Sequence, residues 1–198
     1  MKAVLMSIRP QWCELIAAGK KTVEVRKTKP KLATPFKAYI YCTHPKAWFR
    51  YSSCGRASDE SLWLANGKVE MCDGFKYWND GGDYKNLNGK VIGEFVCDKV
   101  FLWNHDIHNE DTITLDEACE QSCLSENSLL KYADGYFYGW HISNLVIYDK
   151  PKLLTDFTVR ECIWHNIRNN GCIDASGERC YDCRLKRPPQ SWCYVEEM

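Results

Sequence analysis

The stretch Gly19-Lys20-Lys21-Thr22-Val23-Glu24-Val25-Arg26 has the clearest structural pattern in the chain. From Thr22 onward polar and apolar residues alternate, so the two valines share one face of a strand and Thr22, Glu24 and Arg26 share the other. Gly19 precedes this strand and is expected to end a short helix. The pattern predicts a strand with one face in the core and a charged face that can meet a ligand.

The residues on either side predict an α+β protein that is mainly β. Runs of apolar, β-branched and aromatic residues predict strands at 3–8, 38–42, 90–96 with an extension to 103, and 138–142 continuing through 147–148. Pro10 suits the first turn of a short helix, and a second helical stretch begins at Asp116 and breaks near Ser125.

Length and charge limit the kind of protein this can be. The chain has 198 residues, 45% of them hydrophobic, so it can bury a full core. It has 26 Lys and Arg residues against 26 Asp and Glu residues. This balance excludes a broadly basic surface for duplex nucleic acid, so a nucleic-acid site must be local.

We expect one domain over residues 1–198, with two additions. Residues 44–89 contain scattered glycines and tryptophans without a sustained period, which indicates an ordered insertion. Residues 160–187 form a cysteine-rich tail segment ahead of a closing strand at 191–196. The insertion includes Lys46-Ala47-Trp48-Phe49-Arg50-Tyr51, where positive charges and rings interleave as they do in single-strand binders.

The sequence also predicts where the protein resides and in what state. The apolar run at the N-terminus is too short for a secretory signal, and about 18 consecutive apolar residues occur nowhere in the chain. We therefore expect a soluble, cytoplasmic monomer with no membrane contact. Its twelve cysteines are then reduced thiols, some of which ligate a metal.

Four cysteines of the tail are candidate ligands of a structural zinc ion: Cys162, Cys172, Cys180 and Cys183. Cys180 and Cys183 form a CxxC pair, which lets two thiolates meet one ion, and four thiolates close a tetrahedral site. His165 is an alternative to Cys162 or Cys172. Inert thiols and a redox pair at the CxxC remain alternatives, because the spacing of the first two cysteines is wide for a zinc ribbon.

The Gly19 to Arg26 run resembles the G-x-K-x-x-E-x-R signature of the ASCH family of PUA-like β-barrels. Gly139-Trp140-His141-Ile142 is similar to the penultimate barrel strand of that family. Arg187-Pro188-Pro189-Gln190-Ser191-Trp192-Cys193-Tyr194-Val195 is similar to the closing segment of its phage and bacterial members. The resemblance implies a small barrel of about six strands flanked by short helices, with a cleft beside the first helix suited to nucleotides or single-stranded RNA.

Binding of a nucleotide, a modified nucleoside or single-stranded RNA is the first hypothesis. The polar contacts would be Lys21, Glu24 and Arg26, since a guanidinium presents a planar fork of donors to phosphate. The stacking surface would come from three tryptophans: Trp12, Trp140 and Trp192. The simpler alternatives are a partly buried ion pair between Glu24 and Arg26, and tryptophans that only pack in the core.

Two other classes remain. The resemblance extends to small amidohydrolases that act on acetylated cytidine through a lysine, a threonine and a glutamate, and to relatives that cleave RNA. Lys21 falls on the family lysine, but Glu24 stands where the threonine would be, and Glu126 is a candidate for the family glutamate. In an enzyme, Lys21 and Glu24 would be the catalytic residues. A protein-interaction adaptor that uses the insertion is the third class.

Overall fold

Three β-sheets and three short helices make up the computed structural model, which describes residues 2–43, 76–78, 84–104, 106, 112–159 and 183–197. The helices are α1 (Pro10–Ala17), α2 (Leu115–Ser122) and α3 (Glu126–Ala133). The strands are β1 (Ala3–Ile8), β2 (Val23–Arg26), β3 (Phe36–Cys42), β4 (Lys76–Trp78), β5 (Tyr84–Asn86), β6 (Lys90–Cys97), β7 (Val100–Asn104), β8 (Tyr136–His141), β9 (Ser143–Lys152), β10 (Phe157–Thr158) and β11 (Trp192–Glu197).

The largest sheet has six strands in the order β10-β11-β1-β3-β6-β9 and curves into a half-barrel. β1 and β3 run parallel, and the other neighbours in this sheet are antiparallel. A three-stranded antiparallel sheet, β2-β8-β7, lies against it, and β4 and β5 form a separate hairpin. This architecture confirms the predicted α+β class, mainly β, with a six-stranded half-barrel.

Side chains on the two faces of the six-stranded sheet pack into two separate hydrophobic cores. Val4, Met6 and Ile40 face the main core, which also holds Ile16 of α1 and Trp140 of β8. On the opposite side, a second core gathers residues of β1, β3, β6, β10 and β11 and of the segment before β11: Ala3, Leu5, Tyr39, Tyr41, Val91, Phe157, Leu185 and Val195. Because both faces of the central strands are buried, β1 and β3 read as continuous apolar runs rather than as alternating ones.

The helices α2 and α3 cover the outer face of the three-stranded sheet. Val23 and Val25 pack there with Leu129 and Phe137. Thr114 begins α2 with a capping box to Glu117, and Ser125 begins α3 by accepting a hydrogen bond from the Ser128 N–H. The predicted break near Ser125 is confirmed, because a side chain that caps a helix also separates it from the preceding one.

Two of the predicted strand runs were wrong in their continuity. The run from 138 to 148 is two strands, because β8 pairs with β2 and β7 whereas β9 pairs with β6 in the other sheet. Asn144, with φ 48°, lies just after the change of sheet. The run from 90 to 103 divides in the same way between β6 and β7. Local β-propensity cannot show that the chain changes from one sheet to the other, since the residues of both strands favour β-structure equally.

Some predictions fall largely outside the described residues. These include Cys162, Cys172, Cys180 and His165 of the predicted zinc segment, and most of the insertion at 44–89. Cys183 is described and buried, and its carbonyl accepts a hydrogen bond from the Val159 N–H. In the part of the chain that the structure describes, no cluster of three or more metal-ligating side chains occurs, and no helix is long and apolar enough to span a bilayer.

Candidate functional site

The charged face of β2 points into the molecule rather than into solvent. Glu24 lies opposite Trp140 and Arg26 opposite Tyr138 in the antiparallel pairing of β2 with β8. Glu24 is 6% exposed and Arg26 is 8% exposed. The two valines between and before them face α2 and α3, so the alternation predicted from the sequence is confirmed.

Lys21, Glu24 and Arg26 form one buried ion cluster. The Lys21 Nζ lies 3.3 Å from Oε2 of Glu24, and a terminal guanidinium nitrogen of Arg26 lies 2.9 Å from Oε1 of the same carboxylate. The predicted pairing of Glu24 with Arg26 therefore occurs, and Lys21 joins it. Two cations share one carboxylate, so the cluster carries one positive charge more than it can neutralise itself.

Arg26 ties β2 to the ends of β1 and β11. One terminal nitrogen donates to the carbonyl of Ser7 at 2.8 Å, and the other lies 3.5 Å from the hydroxyl of Ser191. Ser7 in turn donates from its hydroxyl to the carbonyl of Pro189 at 2.6 Å and from its N–H to the carbonyl of Ser191 at 2.9 Å. The buried Nε of Arg26 has no hydrogen-bond partner among the described residues.

Lys21 is placed by the turn after α1 and by the end of α2. Gly19, at φ +69°, adopts the left-handed conformation that lets the N–H groups of Lys20 and Lys21 donate back to the carbonyl of Leu15. The Lys21 ammonium donates to the carbonyl of Ser122 at 2.8 Å, in the last turn of α2. Unpaired carbonyls at a helix C-terminus carry partial negative charge and favour a cation.

The three predicted tryptophans occupy different environments. Trp12 is half-buried with the Lys21 ammonium 5.5 Å from its ring centroid, and Trp192 is half-buried with its indole N–H donating to the Thr28 hydroxyl at 3.0 Å. Trp140 has no exposed surface and packs between Phe36 and Trp192. The predicted stacking role of Trp140 is therefore wrong for this structure, because its ring faces are already covered by the core.

Glu126, the candidate for the family glutamate, begins α3 and is exposed. The carboxylate that contacts Lys21 is Glu24 instead. Sequence reasoning did not identify Ser7, Ser122 and Ser191 as parts of the site. Two of them contribute carbonyl oxygens, which every residue has, so no side-chain pattern could have marked them.

Of two further titratable side chains, Cys13 lies next to the cluster and His141 lies on the other face of β8. Burial raises the pKa of Cys13 well above its ordinary value, and the neighbouring Cys42 thiol and the Glu24 charge raise it further. Cys13 thus stays a neutral thiol beside the cluster. His141 lies on the valine side of β8, with Nδ1 2.6 Å from a carboxylate oxygen of Asp98, and so does not enter the cluster.

Comparisons with known proteins find one family model and several solved structures that are similar to this chain. Residues 6–78 match the family model of the ASCH domain, and this segment includes α1, β2 and the whole ion cluster. No curated protein sequence matches the chain.

Two solved structures are similar in fold. The ASCH protein from Zymomonas mobilis has a TM-score of 0.51 and 16% sequence identity, with 98% of this chain and 87% of that chain covered. A tyrosine-to-phenylalanine variant of the Zymomonas mobilis ASCH protein has a TM-score of 0.50 and 16% identity, with 99% and 91% covered. At this identity the likeness establishes the fold alone. Residues 6–78 are therefore similar in sequence to the ASCH domain, and the fold of the chain is similar to that of the Zymomonas mobilis ASCH protein.

Proposed function

We propose that the Lys21–Glu24–Arg26 cluster binds the phosphate of a nucleotide, either free or as one unit of single-stranded RNA. The observation that carries the proposal is the excess positive charge of a cluster whose three members are 3%, 6% and 8% exposed. A buried charge without a counter-ion is costly, and a bound anion would offset that cost. A phosphate also matches the donors that lysine and arginine present.

Glu24 supports this proposal as a positioning residue. Its two carboxylate oxygens each contact one of the cations, so Lys21 and Arg26 are held close together before a ligand arrives. Preorganised donors bind an anion more tightly than mobile ones, because less side-chain entropy is lost on binding. The buried Nε of Arg26 is one further donor for an acceptor oxygen.

Two half-buried tryptophans come from other elements: Trp12 from α1, which precedes the cluster in the sequence, and Trp192 from β11, which follows it. Trp192 contacts Trp140, which pairs with Glu24 across the sheet. A base that stacks on one such ring gains about 1–3 kcal/mol. The proposal therefore assigns phosphate recognition to the cluster and base contact to these two tryptophans, with Trp140 beneath them as core.

Binding is favoured over hydrolysis by the state of the candidate catalytic groups. A general base needs a carboxylate oxygen open to water, whereas both oxygens of Glu24 contact cations. The neighbouring thiol of Cys13 is neutral, which makes it a poor nucleophile. In addition, position 24 carries a glutamate where the amidohydrolase pattern would place a threonine.

The experiment measures equilibrium binding of uridine, uridine 5′-monophosphate and a single-stranded hexauridylate by calorimetry. We expect the monophosphate to bind more tightly than uridine. Arg26→Gln should lower affinity for the monophosphate by about 10-fold or more, since a hydrogen bond to a charged group contributes about 1.5–3 kcal/mol. Arg26→Lys should restore part of the affinity, because it keeps the charge but not the fork.

The control is Lys37→Gln, which removes one positive charge from the outer side of the six-stranded sheet, where Lys37 pairs with Glu94. It should leave nucleotide affinity unchanged. Mass spectrometry of the incubated ligands reports any turnover, which would favour the hydrolase. Equal affinity for uridine and its monophosphate, or equal loss in Arg26→Gln and Lys37→Gln, would contradict phosphate binding at the cluster.

A further inference from the structure

The segment that follows β2 presents a row of lysines on an ordered backbone. Residues 27–32 continue directly from Arg26, and Lys27, Lys29 and Lys31 are exposed whereas Pro30 is buried. Leu32 packs against the main core. The alternation places charged side chains outward and apolar ones inward, so the segment follows the surface of the domain.

Two hydrogen bonds hold this segment against β11. The indole N–H of Trp192 donates to the Thr28 hydroxyl at 3.0 Å, and the N–H of Lys31 donates to the Tyr194 hydroxyl at 2.7 Å. Trp192 and Tyr194 also contact each other, with ring centroids 5.4 Å apart. The lysines are thus carried by a backbone with fixed anchor points rather than by a free loop.

Tyrosine rings from α3 and β8 lie beside the lysines. The Lys27 ammonium is 5.5 Å from the Tyr132 ring centroid, and the Lys29 ammonium is 5.4 Å from that of Tyr138. Tyr136 contacts Tyr138 at 6.0 Å in a T-shaped arrangement. Tyr132 is 37% exposed and Tyr136 is 45% exposed, which is high for such large rings. We name these six residues the lysine–tyrosine patch: Lys27, Lys29, Lys31, Tyr132, Tyr136 and Tyr138.

The charge of the patch is local and unbalanced. The sequence has no Asp or Glu between Glu24 and Asp59, although the chain as a whole has equal numbers of acidic and basic residues. In the described part of the chain, the basic members of the ion pairs are Lys21, Arg26, Lys37 and His141, and not Lys27, Lys29 or Lys31. A concentrated positive field beside exposed rings is the combination that binds single-stranded nucleic acid.

We propose that the lysine–tyrosine patch is the track along which a single-stranded RNA leaves the ion cluster, so that the ligand is an oligonucleotide rather than a free nucleotide. This inference rests on the proposed function, because it places one nucleotide at the cluster and its neighbours on the patch. Lys27, Lys29 and Lys31 contact backbone phosphates, and Tyr136 stacks with a base. Neither contact depends on sequence, so binding tolerates any base order.

The test compares uridine 5′-monophosphate with oligouridylates of three, six and ten nucleotides, measured by fluorescence anisotropy competition at several salt concentrations. For the wild type we expect affinity to rise with length. Lys27→Gln/Lys29→Gln should weaken binding of the ten-nucleotide RNA by roughly 5-fold per lysine at low salt. It should also reduce the slope of log affinity against log salt by about 1.4. Its affinity for the monophosphate should not change.

The matched control is Lys150→Gln/Lys186→Gln, which removes the same charge from exposed positions on β9 and before β11. Stacking is tested separately, because Tyr136→Leu should lower RNA affinity by about 5-fold or more whereas Tyr136→Phe should retain it. Both tyrosine variants affect an exposed ring, so their folding is not expected to differ.

The outcomes separate this inference from the proposed function. If the monophosphate binds but affinity does not rise with length, or if the two double variants behave alike, the track is overturned while the proposed function stands. If RNA binding depends on Lys27 and Lys29 but not on Arg26, the patch binds RNA without the cluster, and both the proposed function and a track that leads from the cluster are overturned. If an acidic peptide, polyglutamate, competes as well as RNA of equal charge, the patch is a general anion surface and the RNA track is overturned.

Discussion

Glu24→Gln provides the most direct test of the buried ion cluster. The substitution keeps the shape of the side chain and removes the one negative charge between Lys21 and Arg26, whose side chains are 2% and 10% exposed. Breaking a buried pair in this way costs about 3–5 kcal/mol, because an uncompensated charge remains in the interior. For a chain of this size that corresponds to a fall in Tm of about 6–20 °C.

Two comparison variants set the scale. Lys21→Met removes one cation but leaves the Arg26–Glu24 pair, and its cost is about 1–3 kcal/mol for the carbonyl of Ser122 that loses its donor. Glu94→Gln breaks an ion pair with Lys37 whose side chains are 22% and 40% exposed, and so costs about 0–1 kcal/mol. Urea unfolding of the four proteins should therefore rank Glu24→Gln as the least stable and Glu94→Gln as nearly wild type.

The same experiment in added phosphate tests why the cluster is built this way. Glu24→Gln leaves two buried cations without their counter-ion, and the gain in net positive charge outweighs the loss of preorganisation. Phosphate should therefore raise the midpoint of unfolding of this variant more than that of the wild type. The reasoning would be refuted if Glu24→Gln and Glu94→Gln had equal free energies of unfolding in phosphate-free buffer. The charge of Glu24 would then contribute no more to the free energy of unfolding than the partly exposed charge of Glu94.

Three further predictions concern other parts of the molecule. Burial alone would raise the pKa of Glu94, but hydrogen bonds from Lys37 and Tyr148 outweigh burial and lower the pKa. The stabilisation from ionised Glu94 is therefore present above about pH 4.5 and lost as pH falls. Glu94→Gln should flatten the acid limb of a curve of stability against pH. Elemental analysis should find about one zinc ion per chain, and a chelator or Cys180→Ser should lower the Tm, whereas a metal-free protein with unchanged Tm contradicts the zinc site. Gly139→Ala places a Cβ 2.8 Å from the Val23 side chain, and this overpacking should lower the free energy of unfolding by about 1–3 kcal/mol, measured by thermal unfolding. Val23→Ala in the same chain should recover part of that free energy.

The local elements could be predicted because their signals lie within a few neighbouring residues. Alternation in residues 22–26 identified the strand and its charged face, and Gly19 and Ser125 marked helix boundaries. The strand continuity at residues 138–148 could not be predicted, since the pairing partners β2 and β6 are distant in sequence. Propensity reports whether a residue suits a strand, and only long-range pairing decides which sheet that strand joins.

The sequence by itself determined that Glu24 and Arg26 lie on one side of a short strand, because the side-chain period of a strand is fixed by its backbone geometry, and that Lys21 lies in the turn just before it. It left open whether those side chains meet solvent or each other. Only the tertiary structure decided that they are buried as one cluster, because the carbonyls of Ser7 and Ser122 that receive the two cations come from β1 and from the far end of α2. Such partners are brought together by packing between segments up to 101 residues apart in the chain, which no local pattern records.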